Sequence, residues 1–169
     1  MIHNAGAVRQ KPLEQVSDDD LQALTNLHVA APIALVQANL ATMKAQGFGR
    51  IVLVSTRAVL GLANRTVYSA TKAAMLGLAR TWALELGLHG ITTNVVAPGP
   101  IEATEVFHQI IPQDSPKLAA IIESIPVKRL GRPQDVARAI LFFADPQAGF
   151  VTGQTLFVCG GTSVGSIVY

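Results

Sequence analysis

The run Arg50-Ile51-Val52-Leu53-Val54 constrains what this chain can fold into more than any other stretch. An unbroken β-rich run of this length suits a strand buried on both faces, as in a parallel sheet covered by helices. Ser55 ends the run, which places its hydroxyl at the strand's carboxyl end, where open α/β sheets hold their sites. After a loop, Tyr68 opens an Ala-rich helical stretch to about residue 86, with Lys72 one turn further on. Residues four apart share a helix face, so phenol and ammonium are expected side by side, the cation lowering the phenol's pKa. Such a pair can move a proton. On spacing alone it is equally an exposed helix face.

Composition narrows the class. The 169 residues suit one domain, 1–169, and they are 50% hydrophobic but only 14% charged, so much surface must be buried, within the chain or between subunits. The net charge of +2 is scattered, with no basic cluster to follow a phosphate backbone, and nucleic acid is not an expected partner. Cys159 is the only cysteine, which excludes an internal disulfide framework, and the four histidines lack metal-ligand spacing, so no metal is assigned. No apolar run reaches spanning length and the amino terminus does not read as a signal peptide, so the expectation is a cytoplasmic protein with no membrane association.

The remaining elements follow in order. Met1 to Ala7 reads as a strand end breaking into a glycine turn. Ser17, followed by three aspartates, is a helix cap with acids in the first turn. Pro32 interrupts that helix, frees the carbonyl of His28 and bends the axis; Gly47-Phe48-Gly49 closes it. Residues 90–97 form the next strand, ended by Pro98-Gly99-Pro100. Between 102 and 126 lies a helical patch, Leu118 to Ile122, in a segment suited to a substrate lid. Pro133 and Asp135 start a further helix. The glycines at 160, 161 and 165 have the wrong spacing for a dinucleotide fingerprint.

A strand ending in serine, a loop, and Tyr-x-x-x-Lys opening a helix resembles the active site of the short-chain dehydrogenases/reductases. Other stretches match the same family: Asn4-Ala5-Gly6, with His3 where the family has a first Asn; Asn26 in the long helix; Asn94 followed by Pro98-Gly99; and Gly131 to Ala137. The pattern is most similar to 3-oxoacyl-acyl-carrier-protein reductases, and sugar and secondary-alcohol dehydrogenases share it.

The resemblance implies an α/β fold: an incomplete Rossmann-like, doubly wound parallel sheet from the family's fourth strand onward. The first βαβαβα half, with its dinucleotide loop, is expected to be absent, leaving the first strand of this chain as an open edge. By the same resemblance Tyr68 is the proton donor, Lys72 lowers its pKa and binds the nicotinamide ribose, Ser55 bonds the substrate oxygen, and Asn26 completes a proton relay through water. Asn4, Ala5, Gly6, Tyr68, Lys72, Pro98, Gly99, Ile101 and Thr104 are the implied contacts to NADP or NAD, whose choice is not readable. Thr104 stands one place later than the family's threonine, where Ala103 lies.

The implied activity is hydride transfer between nicotinamide and a ketone or secondary alcohol. An acyl-carrier-protein substrate would use basic groups such as Arg57, Arg65, Lys128 and Arg129, which are equally solvated surface charges. A homodimer or homotetramer paired through the Ala-rich helix is the implied assembly. The rival reading is an inactive interaction subunit.

Overall fold

The computed structural model describes residues 1–102 and 115–164. Four parallel strands form one sheet in the order β1-β2-β3-β4: β1 (Ile2–His3), β2 (Gly49–Val54), β3 (Ile91–Pro98) and β4 (Thr155–Val158). The register sets Val52 beside Asn94 and Ile2 beside Val52, and all four strands end along one edge of the sheet. Parallel neighbours require crossovers, and these are supplied by helices on both faces.

Alternation along β2 and β3 divides the core in two. Ile51, Leu53, Ile91 and Val95 pack with Val36 of α2 (Ala31–Gln46) and with Met75, Ala79 and Leu86 of α3 (Thr66–Leu86). Val52 and Val96 point the other way, onto Ala139 and Phe143 of α5 (Pro133–Ala144). The result is the helix–sheet–helix sandwich expected of a doubly wound sheet. Residues 51, 53 and 55 share a face, and this alone aims Ser55 at α3.

Helix α1 (Asp18–Thr25) starts as its sequence predicts, with Ser17 and Asp20 forming a capping box. Asp20 is buried and also receives Arg9 at 2.9 Å and Lys11 at 2.6 Å, which fastens the loop after β1 to this helix. Between α1 and α2 the chain makes a wider π-turn, Asn26–Ala30, in which the Ala31 N–H bonds the Asn26 carbonyl. The interruption expected at Pro32 takes this form. The wider turn absorbs the proline, and Pro32 occupies the first turn of α2, where its missing N–H is tolerated. Gly47 ends α2 at φ 60°, as a left-handed cap.

The lower end of the sheet is closed by Arg50, which is buried. Its guanidinium donates to the carbonyls of Gly49, Gly90, Asp145 and Pro146 and stacks 4.5 Å over Phe48. Gly90 there has φ 71°, and any Cβ would lie 2.1 Å from the Gly47 carbonyl oxygen, so only glycine fits. Asn94, buried in β3, donates to Val151 O at 2.8 Å and accepts from Gln154 N–H at 3.0 Å, which pins the entry to β4. The helical patch predicted at 118–122 is α4 (Pro116–Ser124). Among the described residues no helix is long and apolar enough to cross a membrane, and no group of acids, histidines and cysteine could hold a metal ion.

Candidate active site

Helix α3 begins at Thr66, two residues earlier than its sequence suggests, so Tyr68 and Lys72 both lie in its first two turns. That end of the helix meets the carboxyl end of β2. The Ser55 hydroxyl donates to the Lys72 carbonyl at 2.8 Å, and the Lys72 ammonium donates to the Val54 carbonyl at 2.7 Å. Ser55 and Lys72 are both buried. Burial lowers the Lys72 ammonium to a pKa of about 8.

Tyr68 behaves differently from the sequence expectation. Burial raises its pKa, while a hydrogen bond with the Thr56 side chain and the charge of Arg65 hold it down; the cation acting on the phenol is Arg65, not Lys72. The Lys72 ammonium for its part donates to the strand-end carbonyl of Val54. Arg65, the N-cap of α3, is 5% exposed and donates to the Asn64 carbonyl at 3.2 Å. Both readings of Arg65 from the sequence, a basic group for an acyl-carrier-protein and a solvated surface charge, put it in solvent, whereas it is covered. Lys128 and Arg129 are exposed, bonded to Glu123 and Asp135, and Arg57 donates to the Thr162 carbonyl at 3.1 Å.

Asn26 does not join the others through its side chain. It is exposed and accepts a bond from Gln22 at 2.8 Å. Two residues on, the π-turn drives His28 inward to 0% exposure. His28 Nδ1 lies 2.9 Å from Thr71 Oγ1, the Ala7 N–H donates to Nε2 at 3.3 Å, and the ring meets Tyr68 edge-on at 5.8 Å. Desolvation, then the charges of Lys72 and His3, lower His28 to a pKa of about 4. His3 is buried beside it, its pKa also lowered by burial and by Lys72. The sequence marks His28 only by its place one turn before a helix-interrupting proline, which says nothing of its burial.

The other candidate residues cluster at the same edge of the sheet. Asn4, Ala5 and Gly6 follow β1, and a Cβ at Gly6 would stand 3.1 Å from Lys72 Nζ and 3.5 Å from His28 Nε2. Pro98 closes β3, and Gly99 packs so tightly on β4 that a Cβ would come within 2.7 Å of Cys159 Cα. Ile101 bridges to Gly131 and is buried. Thr104 lies outside the described residues.

A family model described as enoyl-(acyl carrier protein) reductase matches residues 1–163 of this chain. The chain belongs to the short-chain dehydrogenase/reductase family. Among relatives of this short-chain dehydrogenase/reductase, the (2S)-[(R)-hydroxy(phenyl)methyl]succinyl-CoA dehydrogenase subunit BbsD of Thauera aromatica is 40% identical, over 97% of this chain and 64% of its own length. The 3-oxoacyl-[acyl-carrier-protein] reductase FabG of Vibrio harveyi is 35% identical, over 95% of this chain and 65% of its own. A gluconate 5-dehydrogenase of Burkholderia cenocepacia, solved with NADP and tartrate, superimposes with a TM-score of 0.91 at 30% identity, covering 98% of this chain and 64% of that one. The chain thus spans slightly under two thirds of the length of these relatives.

Proposed function

We propose that this chain serves an NAD(P)-dependent oxidoreductase that transfers hydride between nicotinamide and a ketone or secondary alcohol. The observation that carries the reading is the meeting of Ser55 and Lys72 at the end of β2, with Tyr68 one turn away on the same helix face. The donor set suits a dinucleotide: the Lys72 ammonium has three N–H groups and gives one to Val54, leaving donors for ribose hydroxyls. Lys72, Asn4, Ala5, Gly6, Pro98, Gly99 and Ile101 are the residues that would hold it, and when bound it supplies or accepts the hydride.

In the reductive direction Tyr68 donates its phenolic proton to the carbonyl oxygen. Its raised pKa keeps that proton in place at neutral pH, ready to be given. Ser55 stabilises charge building on the same oxygen, and to donate there its hydroxyl must turn away from the Lys72 carbonyl. Lys72 orients the ribose and carries a proton to or from the site. A 3-oxoacyl thioester on acyl carrier protein is one substrate consistent with the relatives.

A second reading, an assembly subunit, draws on two relatives named as subunits of one dehydrogenase, BbsC and BbsD. It is supported by large apolar side chains left open on α3 and beyond, among them Leu84, Leu88 and Phe150. Fluorescence titration with NADPH and NADH, followed by turnover of a generic ketone, separates the two. Saturable binding with turnover that falls about 10²- to 10⁴-fold in Tyr68→Phe supports the enzyme. Turnover unchanged in that variant would sink it.

A further inference from the structure

The groups around His28 leave it one protonation state. Thr71 has a single hydroxyl proton, and its Oγ1 sits 2.9 Å from the Val67 carbonyl, which can only accept. Thr71 Oγ1 therefore receives a proton from His28 Nδ1. On the other side the Ala7 backbone N–H can only donate, so His28 Nε2 is bare. Both contacts select the neutral Nδ1–H tautomer. The titratable groups facing the ring are His3 from β1 and Lys72 and Tyr68 from α3, with no carboxylate among the described residues acting on it.

These contacts join three parts of the site. The π-turn supplies the ring, α3 supplies Thr71 in the turn between Tyr68 and Lys72, and the segment after β1 supplies Ala7. Gly6, next to Ala7, brings the Lys72 ammonium and His28 Nε2 to within 3.5 Å of a single point. We propose that His28 is a positioning residue: it clamps the Asn4–Ala7 segment onto the turn of α3 that carries Tyr68 and Lys72, and so closes the compartment around the Lys72 ammonium. Its significance for hydride transfer rests on the function proposed above, but the clamp itself is testable without turnover.

The test uses the folded 169-residue chain. Nitrogen-15 spectra of the His28 imidazole at pH 7 should show a protonated Nδ1 and a bare Nε2; the opposite tautomer, or a ring that titrates like an exposed histidine, overturns the proposal. The Lys72 titration is then followed by NMR in two variants. His28→Gln can keep an acceptor for Ala7, whereas His28→Leu fills space without one. The clamp predicts that leucine returns Lys72 toward the titration of an exposed lysine while glutamine stays close to wild type. A folded leucine variant with unchanged Lys72 titration shows that His28 merely fills the core. If the leucine variant does not fold, Thr71→Val removes the other partner and is read in the same way. NADPH binding measured in parallel should weaken about tenfold in the leucine variant, the loss of one hydrogen bond's worth of order. If wild type shows no binding while Lys72 still responds to His28, the enzyme reading fails and the clamp stands.

Discussion

Ser55 and Lys72 bind each other's strand or helix end: the Ser55 hydroxyl donates to the Lys72 carbonyl at 2.8 Å, and the Lys72 side chain returns to the carbonyl just before Ser55. Two hydrogen bonds thus stitch the end of β2 to the start of α3. Ser55→Ala breaks one of them and should cost about 1 kcal/mol of stability, measured by urea unfolding. Turnover should fall further, about 10²- to 10³-fold, as when a donor to a developing oxyanion is removed. Equal small losses in both would mean that Ser55 only holds the helix.

Lys72 is held at a cost. Its pKa in the fold, about 8, is below the 10.5 of an exposed lysine, so between these values the unfolded chain binds more protons and stability rises with pH. Below pH 8 the whole penalty, of order 3 kcal/mol, is in force. Lys72→Met removes it along with the bond to Val54. The stability of the variant relative to wild type should therefore shrink as pH rises from 8 to 10.5, while activity is lost throughout. Parallel stability curves for the two proteins would show that the ammonium is not buried.

His28 sets an acid limb. Its pKa of about 4 lies below the 6.5 of a free imidazole, so the unfolded chain takes up the extra proton between pH 6.5 and 4. Stability should fall through that window as pH falls, by up to about 3 kcal/mol, with His3 adding in the same direction. His28→Gln should flatten the slope. Denaturation midpoints from pH 4 to 7 decide, and an unchanged slope in the variant would place the titrating group elsewhere.

Arg65 acts on Tyr68 against the effect of burial. Arg65→Met removes a cation near the phenol, so the phenolate becomes harder to form and Tyr68 should ionise at higher pH. Ultraviolet titration in a background with Tyr169 replaced by Phe reads this directly. A downward or absent shift would mean that the guanidinium does not face the phenol.

Much of this was legible along the chain. The apolar run before Ser55 predicted β2, Ser17 predicted the start of α1, and the Tyr68–Lys72 spacing predicted a shared helix face, because caps and periodicities act over a few neighbouring residues. Asn26, His28 and Arg65 read less well. Nothing local says that a π-turn will rotate Asn26 to solvent and His28 into the core, since that rotation depends on where α3 packs against the turn. Arg65 read as an exposed cation, whether at a cleft mouth or simply solvated, because charged residues are seldom buried, and the structure covers it all the same.

The sequence by itself determined the βα order, the carboxyl end of β2 at Ser55 and which side chains could take part in proton chemistry, since these follow from local pattern and side-chain type. Tertiary structure decided what those groups face. Lys72 donates to the Val54 carbonyl, Arg65 supplies a charge acting on the Tyr68 phenol, and His28 fills the space between Gly6 and Thr71. Burial and partner geometry set protonation, and both depend on separate elements closing on one another, as the turn carrying His28 and the helix carrying Thr71 do across 43 residues of chain.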